Sequence, residues 1–127
     1  MFGKFEWARD LGNPILPPNT GSKYDSTRRM NPFVVCIADE YRLYYSGGDE
    51  EGCQRICLAT ASVDDPTKFK RHGVILNLGG VGAFDAKWCV LPCVHQFGDR
   101  WFMYCTCHEG SDLGLQSFPG IGLAISE

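Results

Sequence analysis

The chain has 127 residues, enough for one domain with a real core, and 44% of them are hydrophobic, as in a globular protein. A net charge of -3 with scattered Lys and Arg excludes a basic footprint for nucleic acid. The apolar runs are too short for a membrane span, and "MFGKFEWARD" lacks the apolar core of a secretory signal.

In chain order, "FEWARDLGNPIL" loosely matches the later "FKRHGVIL" and reads as the outer strand of a preceding unit, residues 1–16. "PFVVCIA" and "YRLYYSG" are rich in Val, Ile and Tyr, with "DE" between them, and predict a hairpin. "RICLATAS" predicts a third strand, and "FKRHGVIL", after the turn "VDDPTK", a fourth. The order then returns: "PCVHQF", a "GDR" turn, "WFMYCTC" and "GIGLAIS". No stretch carries sustained helical periodicity. The fold class is all-β.

The return is an internal repeat. Leu16 and Leu76, Asp25 and Asp85, Pro32 and Pro92, Val34 and Val94, Asp39 and Asp99, and Tyr44 and Tyr104 share one offset of 60 residues. After Tyr45 the register slips by five, so that Ile56 matches Ile121 and Leu58 matches Leu123. The extra residues fall in "HEGSDLGLQSFPG", which reads as an enlarged loop. One repeat spans 17–76 and an incomplete second spans 77–127, within a single domain. Four antiparallel strands, repeated, describe a propeller blade.

The phrases Asn-Pro-Ile-Leu, Tyr-Asp, Asn-Pro-Phe-Val-Val, Tyr-Arg-Leu-Tyr-Tyr-Ser-Gly and Ile-Cys-Leu-Ala-Thr-Ala, with their second copy, resemble the five-bladed β-propeller glycosidases. That superfamily includes glycoside hydrolase families 43, 32, 68 and 130, the arabinanases, levansucrases and invertases. The resemblance covers nearly the whole chain. It implies a glycoside hydrolase or phosphorylase acting on a glycan in the axial funnel. The alternative is an inactive carbohydrate-binding, structural or interaction propeller. Two blades cannot close a ring, so the rest of the propeller or another chain is the expected partner.

Glycoside hydrolysis needs two carboxyl groups flanking the scissile bond. The matched acids Asp25 and Asp85 are the catalytic candidates; the competing reading is that each closes an Asx turn ahead of its strand. In family 43 the general base is the Asp before the Pro that opens the inner strand. Here Asn31 and Leu91 hold those places, and the family's general acid belongs to a third blade. Asn31, Arg28, Lys87, Trp88 and His95 are candidate sugar-binding residues. Arg and Lys hold hydroxyls or anions, and a Trp face stacks on a pyranose. Trp88 equally suits a gap between blades, and His95 a packing role. "SGGDEEG" reads as a charged surface loop without the spacing of an EF-hand.

Seven cysteines, an odd number, point to reduced thiols and a reducing compartment rather than a disulfide scaffold. Cys89, Cys93, Cys105 and Cys107 lie near His95 and His108, but the chain has no CxxC pair, so the cysteines are read as packing residues with no metal and no cofactor.

Overall fold

The computed structural model describes residues 5–110 and 120–126. All regular elements among them are strands: β1 Arg28–Ile37, β2 Glu40–Gly48, β3 Gln54–Ser62, β4 Lys70–Leu76, β5 Trp88–Phe97, β6 Arg100–His108 and β7 Gly120–Ser126. No helix among the described residues is long and apolar enough to cross a membrane. The enlarged-loop residues 111–119 and Glu127 lie outside the described residues.

The first repeat is the antiparallel meander β1-β2-β3-β4, and the second contains the meander β5-β6-β7. One parallel bridge, Gln54 to Trp88, joins the two. The registers repeat as the sequence offset demands. Phe33 faces Tyr44, and Cys93 faces Tyr104; Leu43 faces Ala59, and Met103 faces Ala124.

Two features depart from the sequence reading. The inner strands begin at Arg28 and Trp88, four residues ahead of Pro32 and Pro92. A proline has no N–H for the ladder, yet each sits in a bulge where pairing is already interrupted, between Met30 and Phe33 and between Val90 and Cys93. Residues 5–16 run as irregular chain with a turn at 11–12 and a bend at 14–16, rather than as the expected outer strand. Pro14 interrupts that segment and Pro17 and Pro18 follow it, so donors are missing where a ladder would need them.

Strand alternation sends each repeat's side chains to two faces. In β2, Leu43 and Tyr45 join Cys57 and Ala59 of β3 in one core, covered by Leu16, Phe69 and Val74. The opposite face carries Tyr44 and Ile56, which pack against Cys89, Val94, Cys105 and Cys107 of the second repeat. The second core is therefore the interface between repeats. It aligns β1 with β5, and so positions the candidate functional residues.

Candidate functional site

Among the described residues β1 pairs only with β2, and β5 with β6 apart from the single bridge, so both inner strands present an open edge there. Each edge is bent at the same place. Asn31 and Leu91 adopt left-handed φ values of 55° and 56°, and Ala38 and Gly98 do so at the following turns, at 51° and 64°. A left-handed residue in a bulge turns its side chain out of the pleat. Asn31 is half-buried there and Leu91 exposed. Arg28, Met30, Pro32 and Val34 are exposed along β1, as are Cys93 and His95 along β5. The His95 ring stacks on Phe102 and Tyr104, with centroids 6.2 and 5.7 Å away. Hydrogen-bonding groups are present on this edge, in Arg28, Asn31 and His95. Neither β1 nor β5 contains a carboxylate.

Asp25 is placed elsewhere. It is only 3% exposed. Its Oδ2 accepts hydrogen bonds from Tyr45 Oη at 2.9 Å and Arg71 Nε at 3.1 Å, and its Oδ1 accepts from Asn19 Nδ2 at 3.4 Å. Its backbone N–H donates to Ser22 Oγ, and its carbonyl accepts from Arg29 Nη1 at 2.7 Å. Arg71 also donates to the Pro17 carbonyl. The carboxylate thus ties the segment before β1 to β2 and β4. Burial, then the charges of Cys57 and Asp25, push the Tyr45 phenol up, so it remains a donor. The offset between Asp25 and Asp85 holds, but their surroundings differ: Asp85 is half-buried, with its Oδ1 against Gly79.

Lys87 and Trp88 fasten the repeats together. Lys87 Nζ donates to the Glu51 carbonyl at 2.8 Å, and Trp88 Nε1 to the Gly52 carbonyl at 3.0 Å. The Trp88 ring tilts against His108, at 5.3 Å between centroids. These contacts match the gap-filling reading of Trp88.

The charged loop after β2 borders a polar depression of about 400 Å3 lined by Ser22, Lys23, Ser26, Asp49, Glu50 and Glu51. Asp49 organises the loop: it accepts from the Glu51 and Cys53 amides and pairs with Arg55 at 2.6 Å. Burial raises its carboxyl, but the Arg55 guanidinium and the two amides outweigh burial and hold it below the usual carboxylate range. Lys23 and Glu50 line this depression and are not among the site residues singled out from the sequence. The signal was there in "SGGDEEG", but nothing in the spacing showed that Ser22 to Ser26 would fold beside it.

Seven free cysteines are present, and three of them cluster. The sulfurs of Cys89, Cys105 and Cys107 are buried and lie within 4.8 Å of one another. The Cys89 thiol donates to Cys105, which is held below the usual thiol range by that bond, while the same bond and burial push Cys89 up.

No protein-family model matches the chain, and no curated protein sequence matches it. Solved structures do. A glycosyl hydrolase from Bacteroides ovatus superposes with a TM-score of 0.78 and 20% identity, over 99% of this chain and 39% of that one. A structure from work on family 130 glycoside hydrolases that target β-1,2-mannosidic linkages in Candida mannan gives 0.73 and 19%, over 99% and 39%. A family 117 glycoside hydrolase from the marine bacterium Zobellia galactanivorans gives 0.71 and 13%, over 87% and 38%. The fold is that of the glycosidase-like β-propellers. The chain spans under two-fifths of the length of these structures.

The propeller fold explains an asymmetry between the blades. Ile56 is fully buried at 0% exposure, whereas its counterpart Ile121 is 73% exposed. Leu123 and Ile125 continue an exposed apolar row along β7. The face that blade one lays against blade two has no cover on blade two among the described residues.

Proposed function

We propose that this chain supplies two adjacent blades of a carbohydrate-active propeller and that a glycan lies along the open edges of β1 and β5. The observation that carries this reading is the repeated bulge, with Asn31 and Leu91 turned out at equivalent places on neighbouring inner strands. Arg28, Asn31 and His95 supply polar contacts, and Glu50, Glu51 and Lys23 extend the polar wall beside the start of β1. Asp25 serves structure, because its carboxylate is committed to Tyr45, Arg71 and Asn19. Lys87 belongs to the inter-blade joint, with Trp88.

On this reading the hydrolytic or phosphorolytic carboxyl pair comes from blades beyond this chain, since neither inner strand here offers an acid. The exposed row of Ile121, Leu123 and Ile125 is where the next blade docks, in the same or another polypeptide. Unpaired cysteines support a reducing compartment.

The test is a panel of glycans that includes β-1,2-mannosides, offered to the full protein with and without inorganic phosphate. Phosphate-dependent release indicates a phosphorylase, and phosphate-independent release a hydrolase. Binding without turnover supports the inactive carbohydrate-binding reading. Loss of binding or turnover in Asn31→Ala and Arg28→Ala, with folding intact, supports the placement of the glycan. Unchanged behaviour in both variants removes it.

A further inference from the structure

In blade one, the pocket beneath the strand-opening segment is filled by the Tyr45 phenol, with Asp25, Arg71 and the Arg29 side chain around it. The repeat places Cys89 at the position of Arg29, Cys105 at that of Tyr45 and Cys107 at that of Gly47. One ring and one guanidinium are thereby exchanged for three thiols. The sulfur separations are 3.1 Å from Cys89 to Cys105, 3.5 Å from Cys105 to Cys107 and 3.9 Å from Cys107 to Cys89. Apart from one another, the thiols' partners among the described residues are distant carbonyls, Cys105 to Gly122 and Cys107 to Cys105, both at 3.9 Å. Three weak donors face each other with little else to satisfy them.

That triangle has the size of a coordination face. A zinc–sulfur bond of about 2.3 Å in a tetrahedron sets sulfurs about 3.8 Å apart. Room for the sulfurs is built in. A side chain at Gly122 would bring its Cβ to 2.9 Å from Cys107 Sγ and 3.4 Å from Cys105 Sγ, so glycine keeps this wall open.

We propose that Cys89, Cys105 and Cys107 form a three-thiolate site for a zinc-class soft divalent cation. Thiolate ligands favour zinc over the hard cations calcium and magnesium. Binding replaces three thiol protons, which leave to solvent, and forms three metal–sulfur bonds. The ion is structural, because the three sulfurs are buried within the inter-blade core. This departs from the packing role that the spacing of the cysteines suggests, because the site is assembled across strands rather than within a CxxC turn.

The experiment is elemental analysis of the full protein after dialysis against zinc sulfate and then metal-free buffer, alongside loading with cobalt chloride. The expected result is about one zinc per chain and an intense thiolate-to-cobalt charge-transfer band. Both are lost in Cys107→Ala and kept in Cys36→Ala, whose cysteine is exposed. A chelator should lower the melting temperature of the wild-type protein. If Cys107→Ala does not fold, the wild-type zinc content and cobalt spectrum decide alone. Wild-type protein that retains no metal and shows no charge-transfer band overturns the proposal. So does a Cys89–Cys105 disulfide, seen as a mass lower by two hydrogens.

Discussion

Blade one and blade two follow one backbone plan and satisfy it with different chemistry. Their bulges, turns and strand registers coincide at the sequence offset. Blade one anchors its opening segment with an ion pair and a phenol around the buried Asp25; blade two fills the equivalent place with three thiols. In blade one the Asp holds the fold, through Tyr45, Arg71 and Asn19. Backbone geometry is kept where the chain must bend, while the buried filling around it is free to change as a set.

The largest effect should come from breaking the anchor of blade one. Asp25→Asn leaves Arg71 without its counter-charge, at a cost of about 3 kcal/mol in urea-induced unfolding. Asp85→Asn, tested in metal-free protein, should cost about 1 kcal/mol or less, as expected away from a buried pair. Equal losses would remove the distinction between the blades.

The next effect concerns a reciprocal pair. A Cβ at Gly47 would meet Cys57 Sγ at 2.7 Å, and a Cβ at Gly122 would meet Cys107 Sγ at 2.9 Å. Blade one therefore has glycine on β2 and cysteine on β3, and blade two the reverse. Gly47→Cys alone should cost about 2 kcal/mol through overpacking. Combined with Cys57→Gly, it should recover about 1 kcal/mol relative to the sum of the single changes in a double-mutant cycle. Strict additivity would break the comparison.

A smaller effect is expected at the joint. Trp88→Phe removes the hydrogen bond to the Gly52 carbonyl and should cost about 1 kcal/mol without changing glycan affinity. A loss of affinity with stability unchanged would instead make Trp88 a sugar platform.

The smallest effect is the pH dependence of the Asp49–Arg55 pair. The folded carboxyl is held below its ordinary value of 3.8, so its stabilisation is fully present above that value. It fades as the pH falls through the lowered folded pKa. Arg55→Gln should flatten that acid limb of the stability profile by a few tenths of a kcal/mol, up to about 1.

The fold was legible because repetition fixes it twice. The Pro, Val and Tyr matches located both inner hairpins, and the slip after Tyr45 fell where the β6–β7 connection lengthens. Strand starts were misread by four residues, since proline normally ends a ladder and only a bulge admits it. The segment 5–16 was misread because its resemblance to β4 ignored the prolines. The site was less legible. Asp25 looked available because sequence carries no information about Arg71, 46 residues later, folding onto it. The thiol cluster was hidden for a like reason: Cys89 meets Cys107 only through the pairing of β5 with β6.

The central claim is that these blades are equivalent units that differ in their neighbours. Ile56 and Ile121 measure it most directly, through alanine substitution and unfolding of the 127-residue chain and of the assembled propeller. In the chain alone, Ile56→Ala should cost about 3 kcal/mol and Ile121→Ala under about 0.5 kcal/mol. In the assembled propeller, Ile121→Ala should rise to match Ile56→Ala. Equal costs in the chain alone, or an Ile121 that stays indifferent after assembly, would contradict the account.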